Sequence, residues 1–452
     1  MRVKMPPTPR LGLGIAPTLP RAMGKTPLEQ LGAAVAIARL RSRAITSEAL
    51  VRACLDRIAA DEPRIHAWAF LDPDRAIAAA RAADAAPPRA PLLGLPVGIK
   101  DIIDTADAPT ECGTPLYRGR RPARDAACVA VLRSAGGVVL GKTVTTELAY
   151  FGPGPTRNPH DPACTPGGSS SGSAAAVADC MVPAALGTQT AGSVIRPAAY
   201  CGVVGFKPTH GLLSLEGVHP FAPSLDTLGL FVRAVADVAP VLAGLGAPLD
   251  VPVLQRPPRI GTWRSAAWPR ASPAMQARLE EAAADLARAG ATVRDVTLGP
   301  DEADLVDAQA LVMAEEAARS MRALRERPEA SLGLQLQALL DRGAAVTPEE
   351  IRAARNLAAR ARENATRLLG EVDVLLTPSA PGEAPEGLAS TGDPVFNRVV
   401  TLLGFPCLGL PAGTGPAGRP LGLQLVGAPR AEAALLSVAG WVESRLGRAR
   451  SR

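Results

Sequence analysis

Residues 165–211 read TPGGSSSGSAAAVADCMVPAALGTQTAGSVIRPAAYCGVVGFKPTHG, and no other stretch constrains the fold as much. Two serine turns bracketed by glycine, around Ser169 and Ser193, are set between the apolar runs 174–180 and 182–186. A flexible Gly/Ser linker has no such runs to bury, so these turns are threaded through a core. Glycine lets the backbone adopt conformations closed to other residues and bring N–H groups up to a bound carbonyl oxygen. A polar turn held between core elements is therefore a candidate site of chemistry.

On either side, helix and strand patterns alternate. Helical spacing covers 28–38, then a second helix begins at a Thr46 or Ser47 cap ahead of Leu50, Val51, Cys54, Leu55 and Ile58, and a third covers 72–83. The run LGLPVGIKDII at 93–103 is a buried strand with Lys100 towards its end. A helix is expected at 125–134, strands at 137–140, 181–186 and 202–206, and a helix within 230–245. The Gly- and Pro-dense segment 153–172 is a candidate wall of an active site. Further on, strands are expected at 259–262, 291–298, 372–377, 407–410 and 421–426, with helices at 274–289 and within 302–325 and 348–369. The pattern predicts a mixed α/β chain with no repeat and no clean linker, its polar helices around 300–370 forming a cap on one core.

Composition narrows the function classes. Apolar residues make 47% of the 452 and charged residues 20%, enough for a large core and against extensive disorder. No apolar run approaches the ~20 residues of a membrane helix, so no membrane partner is expected. The net charge of +6 comes from scattered basic residues, which gives no nucleic-acid groove. Residues 1–26 are basic, and Pro6, Pro7, Pro9, Pro17 and Pro20 interrupt any signal-like run; a disordered tail is expected there, with the natural start at Met23. Seven widely spaced cysteines without a C-x-x-C pair point away from disulfides and zinc, and towards the cytoplasm.

Two motif matches fail on context. Residues 136–143, GGVVLGKT, fit the phosphate-binding pattern, but a helix precedes them and Val138, Val139 and Leu140 favour a strand, so a helix-to-strand turn is the better assignment. Residues 168–172, GSSSG, fit a nucleophile elbow centred on Ser170, but that arrangement takes its histidine late in the chain. The four histidines are His66, His160, His210 and His219. The same scarcity removes multi-histidine metal sites, and no metal is expected. The base has to be something else. Only five of the 49 basic residues are lysines: Lys4, Lys25, Lys100, Lys142 and Lys207. Arginine keeps its proton in proteins whereas a buried lysine releases it, so each of these is a candidate base.

The segments GIKDIIDT around Lys100, GKT at 141–143, TPGGSSSGS, ALGTQTAGS and CGVVGFKPT, and more loosely LLTPSAP and LGFPCLGLPAG, together resemble the amidase signature family. The resemblance implies a single large α/β domain over 27–447, with a mixed sheet surrounded by helices. It also implies a Ser-Ser-Lys triad, falling here on Ser193, Ser169 and Lys100, with a cis peptide before Ser169. Ser193 is then the nucleophile, Ser169 the bridge and neutral Lys100 the base. An unperturbed lysine is only about 0.1% neutral near pH 7.4, so burial has to bring Lys100 down towards neutrality. The turn Thr190, Ala191, Gly192 and Ser193 supplies the oxyanion hole. Tyr150, Phe151 and Thr377 are candidate substrate-binding residues, with Pro378 and 402–405 weaker ones.

The chain departs from the family pattern at Ser171 and Ala191, each in place of a glycine, and at Gln189 and Ile195, in place of an Asp and an Arg, with Arg196 one position later. Losing both charges together points to a neutral, hydrogen-bonded support for the loop. The expected activity is hydrolysis of amide C–N bonds, extending to anilides, carbamates (urethanes) and esters, through a serine acyl-enzyme. No cofactor is expected. The expected partner is a small amide or carbamate substrate, with the chain a monomer or homodimer. The alternative within the family is the amidase subunit of a tRNA-dependent amidotransferase; a nucleotide binder and a catalytically silent scaffold stand outside it.

Overall fold

Strands buried on both faces read as continuous apolar runs rather than as alternating ones, and the centre of this molecule is built from such runs. A computed structural model describes residues 26–327 and 331–446. Its strands are β1 (Trp68–Leu71), β2 (Pro96–Lys100), β3 (Val138–Thr143), β4 (Ala184–Gln189), β5 (Val204–Lys207), β6 (Thr227–Val232), β7 (Arg259–Trp263), β8 (Thr292–Val296), β9 (Val374–Pro378), β10 (Cys407–Thr414) and β11 (Pro420–Val426). They form one sheet in the order β1-β3-β2-β4-β6-β5-β10-β11-β9-β7-β8. The pairs β3/β2, β2/β4, β9/β7 and β7/β8 are parallel, and the pairs from β4 through to β9, like β1/β3, are antiparallel. Helices surround it, and the mixed α/β expectation holds.

Local chemistry sets most boundaries. Thr46 caps the helix Ser47–Ile65 by accepting from Ala49 N, Ser272 caps Pro273–Arg288, and Thr347 with Glu350 forms a capping box on Pro348–Glu371. Three expectations need correction, and one helix joins those expected. The first helix is split into a short turn, Leu28–Gln30, and a helix, Ala33–Arg41, because Gly32 is extended and starts the second piece. The strand expected at 181–186 begins only after Pro183, which has no N–H to give a ladder. Leu230 lies in β6, so the helix in that region is confined to Val238–Gly244. The expected cap region contains three long helices, Leu305–Ser320, Leu334–Ala344 and Pro348–Glu371. The expected tail lies outside the described residues except for Thr26.

Parallel pairing creates the site. Ile99 pairs with Leu186 and Lys100 with Thr143, so β2, β3 and β4 deliver their C-terminal ends to one edge of the fold. The serine turns lie beyond those ends. The helix Ser171–Ala178 is buried throughout its first seven residues, and Gly172 is needed there because a Cβ would lie 2.2 Å from Ala67 O.

Candidate active site

Lys100 is fully buried at the end of β2. Its Nζ lies 2.7 Å from Ser169 Oγ and 2.9 Å from Thr188 Oγ1. Burial pushes the ammonium down from the ordinary lysine value to about 7, against the opposing pull of the Asp226 carboxylate. In the neutral form Nζ accepts from the Ser169 O–H and donates to Thr188. The peptide Gly168–Ser169 is cis, as the resemblance implied. Its carbonyl and the next one are both held, Gly168 O by Arg196 Nη2 and Ser169 O by Thr146 N, at 2.6 and 3.2 Å.

Ser193 lines the same cavity as Ser169, with Ala149, Tyr150, Phe151, Thr190, Ala191, Arg196, Phe221, Met313 and Thr391 completing the wall. The empty space between these walls, part of it open to solvent, comes to about 300 Å³. The Ser193 hydroxyl has no hydrogen-bond partner among the described residues.

The turn that carries Ser193 is polarised by its surroundings. Thr190 O accepts from Gln309 Nε2 (2.9 Å), Ala191 O from Thr401 Oγ1 (2.7 Å) and Gly192 O from Arg196 N (3.0 Å). With the carbonyls engaged, the N–H groups of Ala191, Gly192 and Ser193 are left without acceptors among the described residues, which is the state an oxyanion hole requires. Gly192 itself packs away from the cavity, where a Cβ would lie 2.5 Å from Asn397 Oδ1. Gln189 Oε1 accepts from Val194 N and Ile195 N at 2.9 and 3.0 Å, and its Nε2 donates to Thr401 Oγ1. The turn thus has the neutral support that the paired charge loss suggested.

Other candidates separate cleanly. Ser170, the possible elbow residue, is buried and bonded to the Thr188 backbone, away from the cavity. Lys142 belongs to strand β3, not a phosphate loop; it forms a buried ion pair with Asp101 (3.1 Å) and bonds Thr110 Oγ1 (2.6 Å), fixing the strand beside Lys100. Lys207 is buried in β5 and bonds Pro208 O. Tyr150 and Phe151 do reach the cavity, edge to face with each other, and Tyr150 stacks on Phe221. Thr377 is not brought to it: it is buried in β9 opposite Gln424. Sequence analysis missed Phe221, Met313 and Thr391, which arrive from distant segments with no local mark. Arg196 was noticed only as a displaced charge; an arginine inside the run VIRPAAY was the available signal.

A family model described as Amidase matches residues 49–436. The chain belongs to the amidase signature family. Enzymes of this family are hydrolases acting on C–N bonds. The chain is similar to a glutamyl-tRNA(Gln) amidotransferase subunit from Geobacter sp. (strain M21), at 34% identity over 89% of this chain and 94% of that one. Its fold is similar to that of the native peptide amidase from Stenotrophomonas maltophilia, with a TM-score of 0.78 and 31% identity over 94% of this chain and 98% of that one. It is also similar to 6-aminohexanoate cyclic dimer hydrolase in complex with its substrate, with a TM-score of 0.80 and 27% identity over 93% and 98% of the two chains.

Proposed function

We propose that the chain is an amidase that hydrolyses small linear amides through an acyl-enzyme on Ser193. The observation that carries this reading is the fully buried Lys100 Nζ 2.7 Å from Ser169 Oγ, in a site where Ser169 and Ser193 face one cavity. Ser193 Oγ attacks the amide carbonyl while its proton passes to Ser169 Oγ and the Ser169 proton passes to Lys100. The developing oxyanion meets the free N–H groups of the turn, where one donor is worth about 3 to 4 kcal/mol. As the C–N bond breaks, the proton returns from Lys100 through Ser169 to the leaving nitrogen, and amine departs. Water then attacks the acyl-enzyme by the same relay in reverse, releasing acid and restoring Ser193. Carbamates and esters present the same carbonyl to the same groups and are expected secondary substrates.

The test is amine release from matched alkyl amides, anilides, primary amides and aryl carbamates by wild type and Ser193→Ala. Turnover by wild type and a loss of about 10³-fold or more in the variant is expected; a folded Ser193→Ala protein with full turnover contradicts the assignment. Similarity to an amidotransferase component over nearly its whole length supports a second reading, in which this site releases ammonia for a partner. Glutamine hydrolysis that appears only with added partner subunits would favour it.

A further inference from the structure

Thr377, Ser379, Asn397 and Gln424 are each fully buried, and each carries one side-chain oxygen without a hydrogen-bond partner among the described residues. A buried polar atom left in that state calls for an explanation. The four side chains converge on one place. Gln424 stands opposite Thr377 across β11 and β9, and Ser379, two positions further on, points to the same face. Gln424 Nε2 donates to Pro378 O, between Thr377 and Ser379, and to Phe396 O, next to Asn397, both at 2.9 Å. Asn397 Nδ2 donates to Ser379 O at 3.0 Å. A glycine leaves room beside them: a Cβ at Gly409, the other cross-strand partner of Gln424, would lie 3.3 Å from Ser379 Oγ and 3.2 Å from Ile195.

The inventory of donors decides what the cluster can hold. Both N–H bonds of the Gln424 amide are spent on carbonyls and the Asn397 amide nitrogen faces Ser379 O, so Gln424 Oε1 and Asn397 Oδ1 are fixed as acceptors. The hydroxyls of Thr377 and Ser379 bring two protons. Two acceptors and two hydroxyl donors match the two protons and two lone pairs of a water molecule. A cation fits less well, because none of the four is charged and Asn397 is the third residue of the helix Val395–Leu403, whose N-terminal end is positive. An anion would meet two carbonyl oxygens that cannot turn away. The cluster also backs the candidate site: Asn397 Oδ1 lies against Gly192, where a Cβ would come within 2.5 Å of it.

We infer that Thr377, Ser379, Asn397 and Gln424 bind one buried water, and that this water fixes Asn397 as a positioning residue behind the turn that carries Ser193. The positioning role rests on the amidase reading above; the water site does not. The water ties Asn397 Oδ1 to β9 and β11, so that the sheet supports Gly192 from behind while Gln309, Thr401 and Arg196 N hold the carbonyls of the turn. Thr377, which does not reach the cavity, acts on it through this bridge.

The experiment has two arms. The first is a high-resolution crystal structure of the wild-type protein soaked in rubidium chloride. One peak is expected at about 2.7 to 3.2 Å from all four oxygens, without a rubidium anomalous signal. A rubidium signal there, or hydroxyls bonded directly to the two amide oxygens, overturns the water site, and neither result needs a variant to fold. The second arm follows by intact mass the phosphonylation of Ser193 by a small fluorophosphonate in wild type, Thr377→Val, Ser379→Ala and Thr377→Ser. The limiting rate is expected to fall about 5- to 50-fold in Thr377→Val and Ser379→Ala, with the half-saturating concentration within about twofold of wild type, and Thr377→Ser is expected to restore it. Wild-type limiting rates in both folded variants overturn the positioning role and leave the amidase reading in place. A wild-type protein that never labels at Ser193 removes the amidase reading and the positioning role together, while the density still decides the water site.

Discussion

Lys100 owes its chemistry to two opposed influences, the removal of water around Nζ and the carboxylate of Asp226. Asp226 is buried and held by Thr190 Oγ1 (2.5 Å), Phe221 N (2.8 Å) and Ala222 N (3.0 Å). Its negative charge favours the ammonium, so it keeps the lysine from falling further. Asp226→Asn removes that pull while leaving an oxygen for the two backbone donors. Lys100 then loses its proton at lower pH, and the rise of kcat/KM with pH is expected to move to the acid side, giving a severalfold gain below pH 6.5 relative to the plateau. A pH profile of the variant checks this; a shift to the alkaline side would contradict the sign. The lysine was legible in sequence because the chain has so few, whereas its buried partner acid was not, since Asp226 is distant in sequence and lies in no motif.

At the scale of elements, the support of the nucleophile turn is a set of long-range bonds onto a short loop. Gln189, at the end of β4, satisfies Val194 N and Ile195 N and reaches Thr401 in the helix Val395–Leu403. Gln189→Leu leaves two buried N–H groups without acceptors, a loss of about 2 to 6 kcal/mol at about 1 to 3 each. Denaturant unfolding should show that loss, and kcat should fall more than KM rises because the turn carries Ser193 and the proposed oxyanion donors. Stability and kcat both at wild-type levels would show that the turn stands without Gln189. Here sequence reasoning succeeded in kind: losing the Asp and Arg together required a neutral substitute, and Gln189 is that residue. It did less well with β6, whose run TLGLFV is buried on both faces and shows no alternation. Such a run cannot be told from a buried helix by periodicity.

Across the whole molecule, the site is finished by residues from the far end of the chain. Gln309 secures Thr190 O, Thr391 secures Arg196, and Thr401 secures Ala191 O. The sheet tells the same story, since β10 and β11 return to lie between β5 and β9. The motif-bearing half therefore cannot close its own sheet: without Cys407–Gly409, β5 becomes an open apolar edge. A chain ending at residue 250 is expected to be insoluble or unreactive at Ser193, as judged by recovery in the soluble fraction and adduct mass. A soluble fragment that labels at the rate of the full chain would show two independent units. The family pattern, carried by several short segments, made the mixed sheet and the candidate triad legible, but the cavity wall was not, because contacts spanning a hundred residues or more leave no spacing to read.

The relay itself can be tested on one reaction. Phosphonylation of Ser193 by a small fluorophosphonate, followed by mass spectrometry between pH 5 and 9, isolates the step for which Lys100 is the proposed base. The adduct is expected on Ser193 alone, with a rate that climbs with pH and is half-maximal near 7, where Lys100 loses its proton. In Lys100→Met the rate is expected to fall by about 10² to 10⁴ and the climb to disappear. An adduct on another residue, or a Lys100→Met protein that keeps both the rate and its pH dependence, would contradict the account.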